Sequence, residues 1–487
     1  MSERKAPRSL GRLLGRALLA GFALAAAVVI LNRFDKLAAR SGHGERDLPP
    51  SSLGADNGAF WLLFLGEPES EGLAVERKAA DYGRQLRELE RVERPTWQVP
   101  PRTRPLGARY WQTIADIPFP RAPEWDWAGF LRTERARLAR VRSGLSVLLT
   151  RYGRMIRCGA VADFGYRFEW DRAYALSAFV QATARLHAAL CLLDAEGGAW
   201  TRATDELAAA VRFGERLMAA AQTVFFNSLG RSIVEAALEG LAGLLNLPGC
   251  PRAVDESLLD ALPTSSETRF GAHSALIGEF LWQSDRVERG DRLLQSELAF
   301  RQLLPGRGGD QTRLTVNVLL GRQLGPETYM RLREVAFDLF LQKNRTKAYL
   351  RAGLDWLLAL DATPPFRWGE AAAHPPAFGR LNVSWLLNPS GRLLYESFGL
   401  VRQKRVIERA FLARALSDLV RLSASLHLDR QPEGDEGRDL GPLDPFSGRP
   451  YRWDAGRSLL WSVGADGKDD QGDAATDLIL PVRIAGR

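Results

Sequence analysis

LHAALCLLDAEGGAWTRATDELAAAVRFGERL, residues 186–217, is the stretch that decides the fold. Apolar residues recur at helical spacing on both sides of Glu196-Gly197-Gly198, where adjacent glycines end one helix and free the chain to begin another. Alanines at 203 and 210 let two helices approach closely, and Trp200 fills the space beside the turn. The segment is predicted to be an antiparallel helical hairpin, and a mainly α body follows if its neighbours share the pattern.

They do. Leu131, Leu138, Val141, Leu145, Leu148 and Leu149 lie at helical spacing, with Pro120 and Pro123 before them and Gly153 and Gly159 after. Amphipathic stretches follow at 172–194, 200–219, 222–246, 251–261, 267–304, 326–360 and 399–427, and none of the intervening sequence alternates with period two for long. The predicted organisation is a cytoplasmic tail and transmembrane anchor over 1–35, a polar linker over 36–58, an all-α helical-hairpin body over 59–398, and a helix plus small β module over 399–487.

In the hairpin, Gly198, Trp200, Ala203, Leu207 and Ala210 stand at the offsets where tetratricopeptide repeats carry glycine, an aromatic, alanine, a large apolar residue and alanine. The segment near 187–218 therefore resembles one such repeat of about 34 residues. No second copy is in register. A solenoid needs at least about three, so an ordinary αα-hairpin stays open beside it. Both readings are helical.

Residues 17–31 read ALLAGFALAAAVVIL, fifteen residues without a charge. A spanning helix wants about 20; Leu13, Leu14 and Phe34 extend the run, and Arg16 can snorkel. Arg4, Lys5, Arg8, Arg12 and Arg16 precede it, which keeps the N-terminus in the cytoplasm and exports the rest. Asn32-Arg33-Phe34-Asp35 offers none of the small residues of a signal-peptidase site, favouring an uncleaved anchor in a bacterial inner membrane over a signal peptide. Residues 36–58, rich in Gly, Pro and Ser, read as linker.

The net charge of +8 invites a nucleic-acid reading, but only seven of the 66 basic residues are lysine and no block of like charges occurs. The arginines are scattered along helices among acids, so nucleic acid is not an expected partner. Cys158, Cys191 and Cys250 are too far apart for a metal knuckle or a redox pair, and Cys191 in its apolar run reads as a small buried hydrophobe. His43, His187, His273, His374 and His427 stand isolated in the chain. The acid runs Glu67, Glu69, Glu71 and Asp255, Glu256 read as solvated faces or helix caps. No nucleophile, zinc or phosphate-loop motif is present, and the chain is not expected to be an enzyme.

After the break at 429–441 the texture changes. Turn residues at Asp444-Pro445, Ser447-Gly448 and 464–467 separate β-prone runs near 450–453, 458–463 and 478–484. A small antiparallel sheet is predicted to pack on the preceding helix through Trp453, Leu460 and Ile479. Asp444-Pro445-Phe446-x-Gly448-x-Pro450-Tyr451 and Trp461-Ser462-Val463-Gly464-Ala465-Asp466-Gly467 resemble, in order, a turn and a strand-and-loop motif of the C-terminal domain of type II secretion major pseudopilins. The resemblance covers about 45 residues. It implies a structural calcium ion held by Asp466, Asp473 and the carbonyl of Val463, with Asp469 and Asp470 within reach; calcium takes six to eight oxygens at flexible geometry. The alternative is that the acidic stretch is simply a solvated turn.

The chain also departs from that family. Gly21-Phe22-Ala23-Leu24 mimics the start of a prepilin-peptidase site, but Ala26 stands where the family has glutamate. A long helical body separates anchor and sheet, which no filament subunit needs. The expectation is a membrane-anchored, non-enzymatic envelope protein whose helical body binds other proteins, with secretion or envelope components as partners. A true pseudopilus component and a periplasmic hydrolase with an unrecognised site are the alternatives.

Overall fold

The computed structural model describes residues 108–120, 126–162, 173–262, 271–289, 341–369, 388–428 and 442–483, with a few isolated positions besides. The segment 17–31 read as an anchor lies outside the described residues; among those described, no helix is long and apolar enough to cross a membrane. The described chain is mostly helical, with one small three-stranded antiparallel sheet. It divides into two compact units. One takes in the described parts of His43–Glu279, Leu357–Ala373 and Val401–Arg487, the other those of Phe280–Trp356 and His374–Leu400.

The first unit starts with helix α1 (Ala108–Ala115), α2 (Trp127–Gly144) and α3 (Ser146–Arg157). Asp126 caps α2 by accepting from the Gly129 amide at 2.7 Å, a contact typically worth about 1 kcal/mol. The apolar period across 131–149 suggests one continuous helix, but Leu145 at φ −116°, ψ 21° ends α2 and begins α3. The Ser143-Gly144 pair just before it is where a helix yields most readily.

The decisive hairpin is α4 (Ala173–Glu196) and α5 (Trp200–Ala220), joined through Gly198 at φ +93°. Helix α6 (Val224–Asn246), capped by Thr223 through the Phe226 amide at 3.2 Å, packs on both. Its glycines explain how. A methyl on Gly230 would lie 2.7 Å from Gly214 O, one on Gly240 2.9 Å from Ala188 Cβ, and one on Gly243 2.7 Å from Trp127 Cδ1. Helix α6 thus meets α5, α4 and α2 at points where only hydrogen fits, and its length lies almost wholly in the core.

Helix α7 (Arg252–Ala261) and the long α11 (Leu400–Leu428) complete this layer. Arg421 Nη1 donates to Leu259 O at 2.9 Å, and His427 Nδ1 lies 3.2 Å from Asp255 Oδ1. A two-residue parallel pair, β1 (Trp97–Gln98) with β2 (Phe168–Glu169), was not legible as strand.

The second unit holds parts of α8 (His273–Arg289), α9 (Lys343–Asp361) and α10 (Pro389–Phe398). Buried Asn388 accepts from the Gln342 amide at 2.8 Å and the Gly391 amide at 3.1 Å, capping α9 and α10 together. Gly399 at φ +65° closes α10 in the left-handed conformation, which glycine adopts without a Cβ penalty. The rest of the predicted stretches 267–304 and 326–360, namely 267–270, 290–304 and 326–340, lies outside the described residues.

The C-terminal sheet runs β3 (Arg452–Asp454), β4 (Leu459–Ser462), β5 (Leu478–Pro481), with Trp453 opposite Leu460 and Leu460 opposite Leu480. One expectation is corrected. Ile479 pairs with Trp461 and so lies on the other face; Leu480, fully buried, takes the place assigned to it beside Leu460. Strand side chains alternate, so a register shift of one residue exchanges the faces. Every residue of β4 is buried, because its Trp461 face is covered as well. The sheet is tied to the helices: Asn246 Nδ2 donates to Pro481 O and Arg483 Nη1 to Leu247 O, both at 2.8 Å.

Candidate functional site

Asp444 organises the C-terminal module. Its carboxylate is buried and accepts four hydrogen bonds: Phe446 N (3.0 Å) and Ser462 Oγ (2.9 Å) on Oδ1, Ser447 Oγ and Val463 N (both 3.1 Å) on Oδ2. Gly448 N donates to Asp444 O at 2.8 Å, with Gly448 at φ +67°. The turn 444–448 and the strand end 462–464, the two motifs singled out in the sequence, are therefore joined through one carboxylate. Behind them the Tyr451 hydroxyl donates to Asp418 Oδ2 on α11 at 2.9 Å.

Both motifs open onto one cavity of about 560 Å³. Phe446 and Val463 contribute from the module; Trp368, just beyond the short 3₁₀ turn Pro365–Arg367, and Lys404 of α11 contribute from the helices. The Trp368 indole donates to Leu360 O and Thr363 O at 3.0 and 2.8 Å, which fixes the ring, and Lys404 Nζ stands 5.7 Å over it, a cation–π geometry. Two ion pairs flank the space, Lys404–Glu408 at 3.4 Å and Arg452–Asp469 at 3.1 Å. Arg449 and Asp466 also line it, and among the described residues neither is in an ion pair.

The residues expected to hold calcium are close in sequence, and most of their polar groups have local partners. Asp466 Oδ1 accepts from Lys468 N and Asp473 Oδ1 from Ala475 N, each closing its own turn. Asp469 accepts from the Trp461 indole and Gln471 N at 3.1 Å and pairs with Arg452. Asp470 offers its carbonyl to Asp473 N, and Val463 gives its N–H to Asp444. Among the described residues no three His, Cys, Asp or Glu side chains group as metal ligands. Asp477, not singled out from the sequence, is the more telling acid: Oδ2 accepts from Gly472 N at 2.7 Å, while Oδ1 is buried without a hydrogen-bond partner.

Two histidines that stand alone in sequence have partners. His427 pairs with Asp255, as above. His187 Nε2 lies 3.7 Å from Cys191 Sγ and 3.9 Å from Glu206 Oε2, with the Tyr152 ring 5.0 Å away. Thiol and acid both approach the same ring nitrogen, so no relay runs through the imidazole. Burial pushes His187 down to about 4 and Cys191 up to about 12, leaving a neutral ring beside an un-ionised thiol. Here the cluster is core packing. Burial also raises Glu215 and Glu239 to about 7 and Asp418 to about 6, but none of these acids lines the cavity. Glu256 pairs with Arg252 on the surface, and Glu67, Glu69, Glu71, His43 and His374 lie outside the described residues.

Comparison with known protein families, with curated proteins and with solved structures returns no match for this chain.

Proposed function

We propose that the chain is a non-enzymatic, membrane-anchored envelope protein whose helical body and pseudopilin-like C-terminal module together hold a protein partner. The observation that carries this reading is the cavity itself: both pseudopilin-like turns border it, and an aromatic and a cation from the helices complete it. Interfaces are enriched in aromatic residues and arginine, and Trp368 and Arg449 both line the cavity. Arg449 and Asp466, neither of them in an ion pair among the described residues, suit an extended segment of a partner protein carrying both signs of charge. The uncharged run 17–31 supplies the anchor and places body and partner on the periplasmic side.

A pseudopilus component is the second reading, favoured by the junction of the two motif turns at Asp444. A hydrolase has less support, because the acids with raised pKa values lie in the core rather than at the cavity.

The test is the intact protein in bacterial cells: protease added to spheroplasts, then the mass of the N-terminal peptide. Digestion of the body without membrane lysis, with residues 17–31 still attached, is the expected result. A body protected until lysis contradicts the envelope reading. A mature N-terminus at Phe22 moves the assignment to the pseudopilus.

A further inference from the structure

The loop between β4 and β5 is strongly acidic, with Asp466, Asp469, Asp470, Asp473 and Asp477 against a single lysine, Lys468. Such a loop needs positive charge or open solvent. Most of it does lie in solvent, but it is pinned at one point: Gly472, at φ +74°, is buried, and a methyl there would lie 2.8 Å from Leu459 Cδ2. The loop is laid down on the β3–β4 hairpin, over Trp461.

Two arginines from that hairpin reach it. Arg452 Nε meets Asp469 Oδ2 at 3.1 Å. Arg457 donates from Nη1 to Gln471 O at 2.6 Å and from Nη2 to Gly472 O at 3.2 Å, so one guanidinium bridges two successive carbonyls. Its own backbone is fixed, since Arg457 N donates to Asp454 Oδ1 at 2.9 Å. Carboxylates and main-chain carbonyls are the oxygens that a hard divalent cation would collect. Here the planar fork of Arg457 collects two of the loop's carbonyls, a geometry that a point charge such as lysine's ammonium does not reproduce, while Arg452 meets one of its carboxylates.

We propose that Arg452 and Arg457 are the internal cations of this loop, within the segment for which the resemblance implies calcium, so that the module folds and keeps its loop in place without a divalent ion. The inference goes beyond the docking reading and holds whether or not a partner binds. Each arginine has a distinct part. Arg457 sets the path of the chain at 471–472, and Arg452, whose ion pair is partly exposed and so screened, orients Asp469 toward the Trp461 indole.

The test uses the full-length protein in detergent, stripped of metal. Thermal unfolding followed by tryptophan fluorescence is compared in excess calcium and in chelator, beside calorimetric titration with calcium alone. The midpoint is expected to be the same in both solutions, with no stoichiometric binding. Arg457→Gln should lower the midpoint and speed tryptic cleavage after Lys468, because the loop opens locally. Arg457→Lys should restore only part of the protection, and Asp466→Asn, which leaves both guanidinium contacts intact, should leave cleavage unchanged. Stoichiometric calcium binding that raises the midpoint and is abolished by Asp473→Ala overturns the proposal. So does an Arg457→Gln protein whose midpoint and cleavage rate match the parent's.

Discussion

The Tyr451 hydroxyl and the Asp418 carboxylate meet at 2.9 Å inside the core, one from the C-terminal module and the other from the middle of α11. Both side chains are buried. Tyr451→Phe removes the donor and strands a buried acceptor, which costs about 1–3 kcal/mol. Urea unfolding should show a lower midpoint with an unchanged slope. Asp418→Asn, which keeps an acceptor, should cost less than the phenylalanine variant.

Asp444 is the more demanding position, because one carboxylate satisfies four donors. An amide offers one acceptor oxygen and points its NH₂ at donors. Asp444→Asn is therefore expected to destabilise by about 2–3 kcal/mol, as charged hydrogen bonds are lost. Near-ultraviolet circular dichroism should lose intensity from Trp453 and Trp461 before the helical signal changes.

Where α5 crosses α6, Gly214 and Gly230 approach backbone to backbone. Gly230→Ala raises helix propensity by roughly 1 kcal/mol, yet the added methyl has no room, and overpacking costs about 1–3 kcal/mol. The net effect expected in chemical denaturation is loss of stability. Gly144→Ala, with nothing within 4 Å of the new methyl, should be neutral or stabilising and serves as the control.

Stability should fall as pH rises through the range set by the buried acids. Glu215 and Glu239 stand at about 7 against 4.5 for an ordinary glutamate, and Asp418 at about 6 against 3.8, each raised by burial. Between those values the folded chain holds protons that the unfolded chain has released, so unfolding gains with pH. His187 works the other way, at about 4 against 6.5, and costs stability as pH drops below 6.5. The acids outnumber it. Melting midpoints should decline as pH rises from about 4 to about 7, and Glu239→Gln should flatten the decline.

The helices were legible because period is a local property: Ala203, Leu207 and Ala210 declare the hairpin, and every one of them is buried. The strands were legible through their turns, Asp444-Pro445 and Gly464 to Gly467. What escaped were relations across distance. The partner of His187 on α5, the reach of Arg457 to Gly472 and the closure of a cavity by Trp368 depend on which helix faces lie together, and no spacing encodes that. Ile479 was misplaced for a related reason, since the face of a short strand turns on a single residue of register.

The measurement that bears most directly on the account is photo-crosslinking in living cells from the cavity rim. A benzophenone side chain replaces Phe366, which lines the cavity and is 39 % exposed, and in a second strain Val401, which is 58 % exposed and outside it. The docking reading predicts one discrete adduct with an envelope protein from position 366, lost when Arg449 is changed to Glu and absent from position 401. No adduct at 366, or the same adducts from both positions, would contradict it.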